Sequence, residues 1–123
     1  MHSYIAIFRG VQADGKNTVP MERLEYAFHT FSLRNECAYE ATGDVTFGSI
    51  NPDTESLEGG VERMVSAVLR IDVEAVVLSA EQLRQLLDAT ADDVLSLGKA
   101  MIRSRKDLEA LYTQSLETHQ HEH

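Results

Sequence analysis

Apolar residues change their spacing from one stretch of the chain to the next, and these changes predict the secondary structure. Residues 3–9 are almost continuously apolar and end at Gly10, a pattern typical of a strand buried on both faces at the centre of a sheet. Apolar residues recur at helical spacing over 20–31, which predicts an amphipathic helix. They alternate with polar residues over 35–49, which predicts a hairpin with one solvent-exposed face.

A second helix and a fourth strand follow. Asn51-Pro52-Asp53-Thr54 has the composition of a turn and an N-cap, and apolar residues spaced by three and four continue to Leu69. Gly59-Gly60 interrupts this helix, at a cost of about 1 kcal/mol for each glycine relative to alanine. Residues 73–78 predict a strand. The resulting order is that of an α+β fold of the ferredoxin-like βαββαβ type, whose antiparallel sheet carries both helices on one face.

The remainder of the chain is predicted to be a C-terminal helical extension. Ser79 and Gln82 have capping-box spacing, which places a helix start near residue 80. Thr90 and Asp93 have the same spacing, so a second helix is expected over 91–118, about 42 Å long against ~20 Å for a strand. Two interpretations stay open: two shorter helices that fold back on the domain, or one long helix that bridges two subunits. The apolar seam behind the second interpretation consists of Val94, Leu97, Met101, Leu108 and Leu111.

The expected organisation is therefore a ferredoxin-like unit, an extension and a short tail. The unit occupies residues 1–79, and the helical extension over 80–118 packs on it or on a partner subunit. Residues 119–123 contain His119, His121 and His123, whose alternate imidazoles could bind zinc adventitiously. Ordering this tail costs conformational entropy that nothing nearby offsets, so we expect it to be disordered and expect neither a resident metal nor another cofactor.

Composition and charge narrow the classes of partner. The chain has 123 residues, one Cys, and 20 Asp and Glu against 11 Lys and Arg, which gives a formal net charge of −9. Most of the excess follows residue 50, and a surface this acidic disfavours nucleic acid and anionic membranes. No stretch approaches the ~18 consecutive apolar residues of a membrane span, and no signal peptide is apparent. With a single cysteine, these features predict an acidic cytoplasmic domain.

The loop from Arg9 to Asn17 is the strongest candidate for a binding site. Gly10 and Gly15 allow backbone N–H groups to approach a ligand closely. Arg9 and Lys16 supply positive charge, and Asn17 supplies an amide next to a predicted helix N-terminus. This combination suits a phosphate or a carboxylate. It is not a Walker A loop, because Asn17 stands where that motif has a magnesium-binding hydroxyl.

A structural role is the alternative for the same loop. The glycines would then form a tight crossing, Arg9 would pair with Asp14 or Glu40, and Asn17 would cap the helix.

The predicted hairpin carries the other candidate residues. Tyr39 and Asp44 lie on or beside a sheet face that the ferredoxin-like arrangement leaves free of helices, so they could contact a polar ligand. The alternatives are a core role for the Tyr39 ring and a turn role for Asp44. Cys37 has no motif partner, and nothing in the sequence places His29 within hydrogen-bond distance of it, so a structural cysteine is expected.

Three spaced motifs resemble a bacterial family known as domain of unknown function 1697 (DUF1697). They are Arg9-Gly10 with Gly15-Lys16-Asn17, then Thr42-Gly43-Asp44-Val45-Thr46-Phe47 after Tyr39, and finally Val77-Leu78-Ser79-Ala80-Glu81-Gln82-Leu83. The resemblance covers about residues 3–88 and supports the fold. The chain departs from the family pattern at Thr42 and Asp44, where Ser and Asn are usual, and at Ala13-Asp14, where small residues ending in Gly are more common. The resemblance also implies a second subdomain in longer members, and here a helical segment stands in its place.

Three hypotheses for function follow. The first is a homo-oligomeric, non-enzymatic protein that binds a small anion, such as a nucleotide phosphate, through Arg9, Lys16 and Asn17. The second is an enzyme that uses Tyr39 or Asp44 as acid or base, although no nucleophile–base pair or metal set can be assembled from the sequence. The third is an interaction protein that acts through its C-terminal helix. The sequence names no substrate and no catalytic residue.

Overall fold

The computed structural model describes residues 2–9, 21–30, 33–39 and 41–120. Six elements form the first unit: β1 (His2–Arg9), α1 (Met21–Thr30), β2 (Arg34–Tyr39), β3 (Asp44–Ser49), α2 (Thr54–Leu69) and β4 (Glu74–Ser79). Four more form the extension: α3 (Ala80–Ala89), β5 (Val94–Ser96), β6 (Ile102–Ser104) and α4 (Arg105–Gln120).

The main sheet has the strand order β2-β3-β1-β4, with every neighbouring pair antiparallel. This order and the βαββαβ succession confirm the predicted ferredoxin-like fold. The central strand β1 is buried from Tyr4 to Phe8, as its continuous apolar sequence predicts. The N-cap at Asp53 is present, and its side chain accepts hydrogen bonds from two backbone N–H groups of the first turn. The capping box is also present: the Ser79 side chain accepts from the Gln82 N–H, and the Gln82 side chain accepts from the Ser79 N–H.

Two hydrophobic cores lie on opposite faces of this sheet. On one face Tyr4, Ala6 and Phe8 pack against apolar residues of α1 and α2. On the other face Ile5 and Ile7 pack against apolar residues of α3, α4 and the β5–β6 hairpin. The alternation of side chains along a strand sends these two sets in opposite directions. The apolar character of β1 therefore reflects burial against two different helical layers.

The prediction of a single helix over 91–118 is wrong for residues 91–104, which contain no helix. Thr90 forms the C-cap of α3, and the chain then makes the β5–β6 hairpin before α4 begins at Arg105. Gly98, Lys99 and Ala100 have φ values of 104°, 50° and 58° at the hairpin turn, a left-handed backbone that cannot continue an α-helix. The apolar spacing of this short stretch suits a strand as well as a helix, and the turn decides between them.

The helix α4 lies on the sheet face that was expected to be solvent-exposed. Leu108 and Leu111 are fully buried in the second core, and every residue from Asp44 to Phe47 is buried as well. The expected hairpin with one exposed face is therefore wrong for β3. Most of the predicted seam is also buried within this one chain, with Val94 as the exception, so no second copy is needed to cover it.

The edge strand β4 is covered by two carboxylates of α2. Glu62 accepts a hydrogen bond from the backbone N–H of Ala75 (2.9 Å), and Glu58 accepts one from Val77 (3.0 Å). Residues 58 and 62 are one helical turn apart, while 75 and 77 are alternate strand residues, so the two spacings match. These N–H groups are therefore not available to pair with another strand.

Loss of a buried side chain of α4 is expected to destabilise the whole domain. Leu108→Ala should lower the free energy of unfolding by about 2–5 kcal/mol, since Leu108 is fully buried between α4 and the sheet. Leu116→Ala, on the same helix at 41% exposure, is the control and should cost less than about 1 kcal/mol. Urea denaturation measures both. Equal effects of the two substitutions would show that α4 does not pack as described.

The carboxylate of Glu62 should make stability depend on acid pH. Its hydrogen bond from Ala75, outweighing burial and aided by Lys99, holds the pKa of Glu62 below its ordinary value. The stabilisation is complete above the pKa of the unfolded chain and is lost as pH falls through the lower folded pKa. Urea unfolding at a series of pH values should therefore show Glu62→Gln less stable than wild type at pH 7, with the difference shrinking below about pH 4. A difference that stays constant with pH would contradict this.

Candidate functional site

The predicted binding loop meets the described structure at Arg9. Gly10, Gly15, Lys16 and Asn17 lie outside the described residues, so Arg9, the last residue of β1, is the part of the loop that can be placed. It stands opposite Glu74, the first residue of β4. Arg9 thus lies where the sheet meets the turn of the β5–β6 hairpin.

The guanidinium group of Arg9 has two partners. It pairs with the carboxylate of Glu74 and donates a hydrogen bond to the backbone carbonyl of Lys99 (2.8 Å). The side chains of Arg9 and Glu74 are 50% and 54% exposed, and an ion pair so open to water contributes at most about 1 kcal/mol. Among the described residues the ion-pair partner of Arg9 is Glu74, while Asp14 and Glu40, the partners of the structural alternative, lie outside the described residues. A dissolved anion can compete with Glu74 for Arg9.

Lys99, whose backbone carbonyl contacts Arg9, uses its side chain elsewhere. Its Nζ atom lies 3.3 Å from both Glu58 and Glu62 and donates to the carbonyl of Ala75 (3.0 Å). Burial opposes the charged amine, but hydrogen bonds and attraction from the two carboxylates outweigh burial and raise the pKa of Lys99. The sequence offers no signal for this residue, because it lies 90 positions from Arg9 in a segment predicted to be helical.

Asp44 is a buried structural carboxylate. It has no exposed surface, and its oxygens accept four hydrogen bonds: from the Phe8 N–H (3.0 Å), the Thr42 hydroxyl (2.7 Å), and Nε and Nη2 of Arg103 (2.8 and 2.9 Å). A ligand would have to displace one of these donors to reach it. Asp44 was expected on an open sheet face, and α4 together with the hairpin closes that face.

Arg103 is the residue that sequence reasoning missed. It lies on β6, is 17% exposed, and also donates to the carbonyl of Phe8 (2.7 Å). Its hydrogen bonds to Asp44 exceed the opposing effect of burial, so the pKa of Arg103 is raised. Asp44 stands where the family pattern has an uncharged residue. Its extra negative charge is neutralised by Arg103.

Tyr39 orients the start of α4. Its hydroxyl donates to Oδ1 of Asp107 in the first turn of that helix (3.2 Å). Burial, then the hydrogen bond and charge of Asp107, raise the pKa of Tyr39. The phenol therefore stays protonated at neutral pH, which disfavours a role as general base.

Cys37 is exposed and is not activated as a nucleophile. Partial burial of its sulfur and the nearby Glu25, Glu117 and Glu36 raise the pKa of the thiol. His29 lies 3.9 Å from Glu36, and the described contacts include no hydrogen bond between His29 and Cys37. The thiolate, the reactive form, is disfavoured at neutral pH.

Breaking the ion pair of Asp44 and Arg103 should destabilise the fold strongly. Arg103→Met is expected to cost about 3–5 kcal/mol, because it leaves a buried carboxylate without its charged partner. Adding Asp44→Asn should recover part of this loss, since an amide is cheaper to bury than a charge. The control Arg84→Met removes the exposed ion pairs with Glu81 and Asp88 and should change stability far less. Urea unfolding measures all three. If Asp44→Asn recovers none of the stability lost in Arg103→Met, then the buried charge of Asp44 is not the cause of that loss.

Within the described part of the chain, no three His, Cys, Asp or Glu side chains form a cluster that could hold a metal ion. The described helices also include none that is long and apolar enough to cross a membrane. The search for related curated proteins gave no match.

Comparison with known structures and families supports the fold. The structure described as "The structure of conserved bacterial protein SP0830 from Streptococcus pneumoniae" aligns with a TM-score of 0.70 and 15% identity, over 92% of this chain and 98% of that one. At this identity the likeness shows the fold alone, and its coverage reaches into the extension. The family described as "Protein of unknown function (DUF1697)" matches residues 1–95. The chain therefore belongs to the DUF1697 family, as the three sequence motifs indicate.

Proposed function

We propose that this DUF1697 protein binds a small anion at the end of β1 and acts without catalysis. The observation that carries the proposal is the exposed ion pair of Arg9 with Glu74. Both side chains are about half exposed, and Arg9 directly precedes the Gly10–Asn17 segment. The loop would add Lys16, Asn17 and the backbone N–H groups next to Gly10 and Gly15. A phosphate, alone or on a nucleotide, has the charge and acceptor geometry for such a site.

The surrounding charges favour a small anion over a large one. The whole chain has a net charge of −9, which repels polyanions at long range. The field is screened within ~8 Å at physiological salt, so local hydrogen bonds can still hold a single phosphate. Nucleic acid is therefore not among the partners that we propose.

Glu74 acts as a built-in competitor in this proposal. Its carboxylate occupies the face of Arg9 that a bound anion would take. Binding would release Glu74 to water, at a cost of at most about 1 kcal/mol for an exposed pair. A ligand with two or more charged oxygens would recover this cost through Lys16 and the loop.

Catalysis at Tyr39 or Asp44 has less support. Asp44 is fully buried with four donors, and the Tyr39 hydroxyl donates to Asp107. An interaction role has one specific observation in its favour: Val94 and Ile102 lie on the outer face of the β5–β6 hairpin, and each is more than half exposed. Self-association and a cytoplasmic location stay predictions.

Thermal unfolding tests the anion site. Inorganic pyrophosphate and ADP are added to wild type and to Arg9→Ala/Lys16→Ala at constant ionic strength. At ten times Kd a ligand stabilises wild type by about 1.4 kcal/mol, which raises Tm by roughly 4–6 °C. The double variant should show no such rise.

The matched control is Arg84→Ala/Lys106→Ala, which removes one Arg and one Lys from α3 and α4. It should respond to both anions as wild type does. Equal responses in all three proteins, or no response of wild type to either anion, would refute the site.

A further inference from the structure

A cavity of about 340 Å³ opens on the flank of α2 that faces away from β4. Its walls include Leu33 before β2 and three residues of α2 that also belong to the first core: Leu57, Val61 and Met64. Gly60 and Arg63 line it as well. The cavity is therefore mostly apolar, with a cationic side chain at its boundary, and it lies on the opposite flank of α2 from Glu58 and Glu62.

Gly60 of α2 lines this cavity, and Gly59 lies beside Arg63. A Cβ atom at Gly60 would meet no other atom within 4 Å, so packing does not require glycine there. A Cβ at Gly59 would lie 3.3 Å from Nη1 of Arg63, which shows that the guanidinium extends back along α2 to the preceding turn. Gly60 thus gives up helix stability and leaves its side of the cavity open.

Arg63 influences Glu62 through its charge alone, helping to lower the pKa of that carboxylate. Among the residues that the structure describes, it makes no ion pair and no hydrogen bond, although the chain carries 20 acidic residues. The nearest helix carboxylates, Glu58 and Glu62, are bound to Lys99 and to backbone N–H groups of β4. The guanidinium is therefore free to accept an acidic group from outside the protein.

We propose that this cavity binds an amphipathic monocarboxylate, with the carboxylate on Arg63 and the hydrocarbon tail against Leu57, Val61 and Met64. Arg binds carboxylates through two parallel N–H donors, and ligand cavities combine apolar walls with a few polar groups. At about 30 Å³ for each water-sized group, the volume accommodates a ligand of about ten non-hydrogen atoms. A medium-chain fatty acid fits this description. The site is separate from Arg9 and does not depend on the anion site proposed there.

Octanoate, with octan-1-ol as its neutral counterpart, tests this inference. Titration of the ¹⁵N-labelled protein should shift the backbone amide signals of residues 56–67 in two-dimensional NMR and yield a Kd. Arg63→Gln should weaken octanoate binding by about tenfold or more, the usual effect of losing a charge-assisted hydrogen bond. The affinity for octan-1-ol should change little, because the alcohol carries no charge.

Two further variants separate the cavity from general effects of charge. Gly60→Leu should fill the cavity and remove the binding of both compounds, while the chain stays folded because space surrounds position 60. Arg70→Gln removes the same charge from the C-cap of α2 and should leave the affinity for octanoate unchanged.

Three results would overturn the inference. One is the absence of shifts at residues 56–67 with up to 10 mM octanoate. Another is an affinity that neither Arg63→Gln nor Gly60→Leu changes. The third is an equal loss in Arg63→Gln and Arg70→Gln, which would indicate a response to net charge only.

Discussion

The carboxylate of Asp44 has to be neutralised inside the protein, and the extension supplies the group that does so. The hairpin of β2 and β3 contributes Asp44, β1 contributes the N–H of Phe8, and β6 contributes Arg103. A buried charge without its partner costs several kcal/mol, which is a large fraction of the stability of a domain this size. Arg103 also binds the carbonyl of Phe8, so both polar groups of one residue in the central strand belong to this network. The ferredoxin-like unit and the extension are therefore one folding unit in energetic terms.

The two hydrophobic cores also make the ferredoxin-like unit depend on the extension. Because β1 sends apolar side chains to both faces, the sheet cannot be left with one face in water. The helices α1 and α2 cover the first face, and α3, α4 and the hairpin cover the second. Among the described residues, no buried side-chain nitrogen or oxygen lacks a hydrogen-bond partner. The extension thus completes the domain both by apolar packing and by satisfying Asp44.

The sequence was informative wherever a pattern was local. Strand β1, the order of the first six elements, the N-cap at Asp53 and the capping box at Ser79 follow from spacings of two to four residues. The β5–β6 hairpin could not be predicted, because strands of three residues do not show a period. The Thr90–Asp93 pair has capping-box spacing, yet α3 ends at Thr90.

The candidate site was predictable only in part, because some of its contacts join residues far apart in the sequence. Arg9 and the loop were identified from consecutive residues, but Lys99 and Arg103 reach β1 from about 90 positions away. Such contacts leave no trace in a single sequence. Asp44 and Tyr39 were identified as candidate residues, with a turn role and a core role as the alternatives to ligand binding. Their partners Arg103 and Asp107 were not identified, so the sequence could not decide between these roles.

The carboxylates of Glu58 and Glu62 have a consequence for how this protein behaves at high concentration. They occupy the N–H groups of Ala75 and Val77 on the edge strand β4. A sheet grows into a fibril only if each added chain presents a new free edge. A chain that pairs through β2 would still end in a blocked β4, so growth would stop at the first addition. By blocking β4, the two glutamates therefore limit strand pairing between molecules to a single addition and oppose fibril growth.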